Sequence, residues 1–177
     1  KANLRNDVDR AGAILKNSEA LLSTLMKETS NLCYQLSPRL LDDFGIVEAL
    51  EELIATIEMT GVLRIDFEKK WIRRKKNKSL ETALYRVSQE ALANVLKHAH
   101  ASHAIMKLHH NGDGVSLSIH DNGKGFDLQS VLKSRKKGFG LINMKERIDL
   151  IGGTLTLQTA PNKGTKIDVN VPSRGRE

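Results

Sequence analysis

Leu80-Glu81-Thr82-Ala83-Leu84-Tyr85-Arg86-Val87-Ser88-Gln89-Glu90-Ala91-Leu92-Ala93-Asn94-Val95-Leu96-Lys97-His98 is the stretch on which the fold turns. Leu80, Leu84, Val87, Ala91 and Val95 recur at steps of three and four, the period of an α-helix that lays one apolar stripe on a core. The spacing predicts a helix over 80–98 whose opposite side is polar. On that side Glu90, Asn94 and Lys97 stand at i, i+4 and i+7, so one helical face offers a carboxylate, an amide and an ammonium together. Such a trio suits a magnesium nucleotide, because Mg²⁺ keeps most of its waters, takes oxygens from phosphates and needs one or two protein oxygens. In this reading Asn94 supplies an oxygen, Lys97 pairs with a phosphate, and Glu90 positions a metal-bound water or accepts a proton. Polar residues at helical spacing more often form only a wet face, so the reading depends on the flanking sequence.

Downstream, strands are expected over 104–109 and 115–120, joined by Asn111-Gly112-Asp113-Gly114, whose dipeptides favour a hairpin. Asp121-Asn122-Gly123-Lys124-Gly125-Phe126 follows at once. Its glycines permit a tight turn in which backbone lies close to a flat ligand. Its aspartate can accept a hydrogen bond from an exocyclic amino group, which adenine carries at its six position and guanine lacks there. A polar stretch from Asp127 to Lys137 leads into Gly138-Phe139-Gly140-Leu141 and a helix expected over 141–151, stopped by Gly152-Gly153. Free amides and the helix dipole make such a helix start a seat for phosphate. Lys133, Arg135, Lys136 and Lys137 precede it as a basic lid, a local use for part of the net charge of +7. Two last strands, 154–159 and 165–171, are expected around a turn at Pro161-Asn162-Lys163-Gly164.

Upstream, Asp42 and Asp43 read as caps for a helix carrying Ile46, Ala49, Leu50, Leu53, Ile54 and Ile57, closed by Gly61. A strand over 62–67 follows, and then Lys69 to Lys78 holds seven basic residues in ten, a run expected to be mostly solvated. From Leu4 to Leu36 a heptad seam steps by alternating fours and threes through Val8, Leu15, Leu22, Leu25 and Leu32. That helix would be roughly 50 Å long at 1.5 Å per residue, too long for this domain's own core to cover, so it needs a partner helix. Ser37-Pro38 ends it. The expected fold is α+β, a two-layer α/β sandwich with a largely antiparallel sheet over 39–177, preceded by a long bundle helix over 1–38.

Bulk properties narrow the function classes. With 177 residues, 40% hydrophobic and 28% charged, the chain has room for one globular domain and an appendage. Four Phe, two Tyr and one Trp leave the core to aliphatic side chains. The single cysteine, Cys33, excludes an intrachain disulfide and a multi-cysteine zinc site, and fits a reducing compartment. Neither a long apolar run nor a signal peptide is present, so the expected location is cytoplasmic. The chain begins at Lys1 partway along a helical pattern, so a longer protein is expected, in which a membrane anchor has its place. The six histidines are His98, His100, His103, His109, His110 and His120. His98-x-His100-x-x-His103 has no obvious partner ligand and reads as strand and loop histidines, not as a zinc site. Trp71 within the basic run gives nucleic acid only one aromatic and no motif, so no nucleic-acid partner is expected.

Taken in order, Gln89-Glu90-x-x-x-Asn94-x-x-Lys97-His98, Asp121-x-Gly123-x-Gly125-Phe126, Gly138-x-Gly140-Leu141 and Gly164-Thr165 resemble the motifs of the gyrase, heat-shock chaperone, histidine kinase and MutL ATPase superfamily, over about Tyr85 to Val171. No Walker loop is present. The resemblance implies the Bergerat ATP-binding fold with ATP and Mg²⁺ as ligands. It makes Asn94 the Mg²⁺ ligand, Asp121 the adenine reader, Gly123, Gly125, Gly138 and Gly140 the loop glycines, and Thr165 an assistant at the adenine. Lys97 and His98 fall near the phosphates, Phe139 and Leu141 within the same nucleotide box, and the role of Glu90 varies across the superfamily. Leu36-Ser37-Pro38-x-x-Leu41-Asp42-x-x-Gly45-Ile46-x-x-Ala49-Leu50 further resembles the domain join of nitrate-sensor-type sensor histidine kinases. That implies a bacterial two-component protein-histidine kinase, homodimeric through residues 1–38 as the second bundle helix, with a response regulator as partner. The family's acceptor histidine lies on the first bundle helix, and residues 1–97 contain none, so the acceptor is expected upstream. Two alternatives stand beside it: an anti-sigma-factor-type serine kinase, disfavoured by the long seam, and a nucleotide-binding dimerisation module without kinase activity.

Overall fold

The computed structural model describes residues 18, 40–71, 77–111, 113–133 and 139–173. The heptad seam, residues 72–76 of the basic run, Gly138 and most of the basic lid lie outside them. The chain divides at Leu36–Ser37 into two units, and the description concerns the second.

Alternation along the strands builds one half-buried sheet. β1 (Arg64–Lys70), β2 (His103–Asn111), β3 (Gly114–Asp121), β4 (Thr154–Thr159) and β5 (Thr165–Pro172) lie in the order β1-β2-β3-β5-β4. Because successive side chains point to opposite faces, Ala104, Met106 and Leu108 share a face with Leu117, Ile119, Ile167 and Val169, and all are buried. The other face is polar. There Asp66 meets His103 at 2.9 Å, Glu68 meets Lys107 at 2.8 Å and His109 at 3.1 Å, and Asp168 meets Lys166 at 2.8 Å. β1 runs parallel to β2 and every other pair is antiparallel. A parallel pair needs a crossover, and the helix read from 80–98 lies within it.

Helices cover the apolar face, which makes two layers. α1 (Ile46–Glu58) buries Ile46, Ala49, Leu50, Leu53, Ile54 and Ile57, and Glu58 Oε1 accepts from the Ile65 amide at 2.8 Å, tying helix to strand. The residue at its N-cap is Gly45, without a side-chain cap. Asp42 and Asp43 are therefore not its caps: residues 40–43 already form a helical turn, and Asp42 pairs with Lys78 at 2.9 Å. α2 (Lys78–Asn94) starts from Asn77, whose Oδ1 accepts from the Leu80 amide at 3.1 Å.

The expectation of a polar far side on α2 is corrected. This helix packs against both α1 and α4 (Phe139–Asp149) as well as against β3, so Glu81, Tyr85, Ser88, Gln89 and Leu92 are buried too. Three hydrogen bonds within the helix serve its polar groups: Arg86 Nη1 donates to Gln89 Oε1 at 2.8 Å, Gln89 Nε2 to the Tyr85 hydroxyl at 3.2 Å, and Ser88 Oγ to the Leu84 carbonyl at 3.0 Å.

Two further differences concern helix ends. α4 begins at Phe139, two residues before the expected start, and ends at Asp149, where Gly152 takes φ 75° and the Gly153 amide returns to the Ile148 carbonyl at 3.0 Å. The polar stretch after Asp127 contains a short helix, α3 (Leu128–Lys133). Asp127 caps it by accepting from the Gln129 amide at 3.0 Å and the Ser130 hydroxyl at 2.7 Å, and the Ser130 bond holds its carboxyl below the ordinary range.

Candidate functional site

Beyond Asn94 the α-helical ladder stops, and Val95–Ala99 form one wide π turn. Such turns rotate the residues they contain relative to the preceding helix and recur at functional sites. His100 closes the turn in the left-handed region at φ 52°, and Ala101 then leads toward β2. The chain at this corner faces the end of β3, the start of α4 and the β4–β5 hairpin, and the space between them is a cavity of about 580 Å³.

Glu90, Asn94 and Lys97, the trio picked out in the sequence, line one side of this cavity together with His98, which the family resemblance added. Asn94 Nδ2 donates to Glu90 Oε1 at 3.3 Å, which turns the amide so that its carbonyl oxygen is the group left to meet a cation. Glu90 in turn lies hard against the first turn of α4. A Cβ on Gly140 would collide with Glu90 Oε1, so only glycine there lets the carboxylate approach. Phe139, Gly140 and Leu141 line the cavity beside it.

At the opposite end Asp121 is 3% exposed. Its Oδ1 accepts from the Gly123 amide at 2.7 Å, and its partner across the strand pair is Thr165, so both side chains project from the same face of the sheet into the cavity. The glycines around it are set by close approach. A Cβ on Gly123 would stand 2.5 Å from the Ala99 carbonyl oxygen, one on Gly125 would strike the Ala160 carbonyl, and one on Gly164 would strike that of Asp121. Gly125 and Gly164 also take φ 56° and 67°, where an L side chain is strained. Between the two ends the wall is apolar, with Ala91, Val95, Ile119, Leu157 and Ile167.

Gly125 and every other described residue expected in the site lines the cavity except Gly123, which lies beneath it as packing. Two contributors carry no signal that motif reading uses. Lys124, the variable position of its box, lines the cavity, held by its amide to the Ala99 carbonyl at 2.8 Å and by its carbonyl to the Asn162 amide at 2.6 Å. Thr159 ties the glycine loop to the β4–β5 turn through bonds to the Phe126 amide and the Gly164 carbonyl. The histidines disperse. His98 lines the cavity, His100 turns out at the end of the π turn, and His103 pairs with Asp66. Among the described residues no group of three or more His, Cys, Asp or Glu is placed to hold a metal. Trp71 packs against the core with its ring centroid 4.8 Å from that of His110.

A donor set of one amide oxygen beside a carboxylate fits Mg²⁺, which takes most of its ligands from water and phosphate. A basic and amide-rich end facing an apolar end with a buried carboxylate fits a nucleoside triphosphate.

Residues 79–175 match the family described as histidine kinase-, DNA gyrase B-, and HSP90-like ATPase. The signal transduction histidine-protein kinase/phosphatase DegS of Brevibacillus brevis is 33% identical over 165 residues, covering 93% of this chain and 42% of that protein. The protein of the same name from Bacillus subtilis is 40% identical over 140 residues, covering 76% of this chain and 36% of the relative. The chain thus spans about two fifths of the curated relatives it matches. Among solved structures, the Acinetobacter baumannii histidine kinase AdeS superposes with a TM-score of 0.59 at 16% identity, over 90% of this chain and 82% of that one. The histidine kinase domain of the Erythrobacter litoralis EL346 blue-light activated kinase gives 0.58 at 15%, over 70% and 59%. These structures speak to the fold, and it is the same two-layer arrangement.

Proposed function

This chain belongs to the histidine kinase-, DNA gyrase B- and HSP90-like ATPase family and carries its ATP-binding catalytic region, and on that premise we propose how its residues serve a protein-histidine kinase. Adenine sits at the apolar end with its six-amino group on Asp121 and Thr165. The triphosphate runs toward Lys97, His98 and the N-terminus of α4, where Phe139, Gly140 and Leu141 line the cavity. The observation that carries this reading is the cavity itself, with a carboxylate 3% exposed at one end and Asn94, Lys97 and His98 at the other.

Phosphoryl transfer asks a protein mainly for positioning and for neutralisation of charge. Asn94 would hold Mg²⁺ through its side-chain oxygen, and the ion would supply charge neutralisation at the phosphates. Glu90 fixes the Asn94 amide and orders water at the metal or takes a proton. Lys97 and His98 engage the phosphates. In the whole protein the γ-phosphate passes to a histidine upstream of Lys1, because residues 1–97 carry none, and from there to the aspartate of a response regulator. Residues 1–38 form the second helix of the bundle that makes the homodimer. The join at Leu36 to Leu50 supports a sensor of the nitrate-responsive type.

Calorimetry with Mg-ATP tests the site. Asn94→Ala and Asp121→Asn should each weaken binding by tenfold or more, as loss of a hydrogen bond to a charged partner does at about 1.5–3 kcal/mol. Unchanged affinity in both would refute it. Incubated with labelled ATP, this chain should gain no acid-labile phosphate, and the chain extended by its upstream helix should gain it. Label on the present chain would move the acceptor elsewhere.

A further inference from the structure

Thr159 ends β4 outside the lining of the cavity, yet its hydroxyl touches both segments that build the adenine end, the glycine loop and the Gly164-Thr165 step into β5. Thr159 Oγ1 accepts from the Phe126 amide at 3.1 Å, donates to the Gly164 carbonyl at 2.9 Å, and stands 3.3 Å from Thr165 Oγ1. Chemistry settles the directions. A carbonyl oxygen only accepts, so the single hydroxyl proton of Thr159 goes to Gly164. An amide N–H only donates, so Phe126 occupies one lone pair. The second lone pair is what Thr159 offers to Thr165, which makes Thr165 the donor in that contact and turns its own single proton away from the cavity. What Thr165 presents to a ligand is therefore an acceptor. Its cross-strand partner Asp121, an acceptor when ionised, is held by the Gly123 amide at 2.7 Å.

We propose that Thr159 is a positioning residue for base selection: by accepting the hydrogen bond of the Thr165 hydroxyl it leaves Thr165 an acceptor toward the cavity, beside the acceptor Asp121. Each can then take one hydrogen of a 6-amino purine, and a 6-oxo purine meets a lone pair where it brings another. Thr159 touches no ligand and acts through Thr165. The proposal rests on the reading of Asp121 and Thr165 as the adenine end.

The test is the ratio of dissociation constants for inosine triphosphate and ATP, measured by calorimetry with Mg²⁺ on the present chain. Thr159→Val keeps the shape and removes the acceptor, so Thr165 is freed to donate into the cavity, and the ratio should fall about tenfold, the effect of one hydrogen bond changing sense. Thr159→Ser restores the acceptor and should restore the ratio. Equal weakening of both nucleotides by Thr159→Val, with the ratio unchanged, would reduce Thr159 to a structural tie and overturn the proposal. Should Thr159→Val fail to fold, Thr165→Val carries the same test: it should lower the ratio while Thr159→Ser does not, and a wild-type ratio in Thr165→Val overturns the proposal. Asp121→Asn separates the levels. If it leaves ATP affinity intact, the adenine end is misassigned and the proposal goes with it; if it weakens ATP while Thr159→Val keeps the ratio, the proton arrangement alone is wrong.

Discussion

The two faces of the sheet are made from the same strands by alternate residues, yet they do different work. The inner face carries Met106, Leu108, Leu117, Ile119, Ile167 and Val169, all buried, and ends in Asp121 and Thr165 at the cavity. The outer face carries ion pairs of half-exposed side chains: Asp66 with His103, Glu68 with Lys107 and His109, and Lys166 with Asp168. Helices cover the inner face except where α2 passes into its π turn and α4 begins. The site lies at that gap in the helical layer, on strands held in register by the core behind it. Position on the sheet, more than residue type, separates a carboxylate that reads a ligand from one that decorates a surface.

Substitutions sharpen the contrast. Leu117→Ala, in the middle of the inner face and 1% exposed, should destabilise the domain by about 2–5 kcal/mol in chemical denaturation, the range for a large-to-small change in a core. Gly164→Ala adds a Cβ against the Asp121 carbonyl at φ 67°, where backbone must move. It should destabilise by more than about 1 kcal/mol and abolish measurable ATP binding. Gly140→Ala meets instead the flexible end of Glu90, so the fold should survive with an unchanged denaturation midpoint. The carboxylate and its bond to Asn94 are displaced, and the Mg²⁺ concentration needed for half-maximal ATP binding should rise several-fold. A melting point lowered as far as that of Gly164→Ala would break the distinction between a backbone and a side-chain neighbour.

The smallest effect belongs to the outer face. The Lys107 ammonium, bonded to Glu68, lowers its carboxyl pKa, with His109 adding to the effect. A depressed carboxyl stabilises the fold above its unfolded value of about 4.3 and loses that contribution as pH falls through the lower folded value. Glu68→Gln should therefore lower the melting midpoint slightly at pH 7, with the gap to wild type closing in acid. A gap that widens in acid would show the sign to be wrong. Exposed pairs contribute little, so this change should be far smaller than that of Leu117→Ala.

Much of this was legible from the residues. Glu90 and Asn94 share a cavity wall because helical spacing is a local property, Lys97 reaches the same wall from the π turn that the spacing did not foretell, and the boxes at Asp121, Gly140 and Gly164 are short enough to be read without knowing what they touch. What escaped depends on neighbours. The stripe of α2 marks its contact with the sheet, but nothing in its period tells that α1 and α4 bury Tyr85 and Gln89 on the far side. Asp42 resembles a cap, yet helical residues 40–43 put it inside a turn, where Lys78 claims it. α3 and its cap at Asp127 lie in a stretch read only as polar, because six residues are too few to show a helical period. Thr159 has no motif at all. Its part is defined by contacts to Gly164 and Thr165 in its own hairpin and to the Phe126 amide, brought in from 33 residues away.

The glycine loop at Asp121 to Phe126 has a consequence for anyone who would transplant it. Gly123 is moulded on Ala99, Gly125 on Ala160, and Gly164 on Asp121. The hexapeptide is thus one third of a casting whose other parts are the wide helical turn and the β4–β5 hairpin. Grafted alone into another scaffold it would be a flexible turn. Moved with both of its counterparts, it would keep its shape and carry its ligand preference into a new protein.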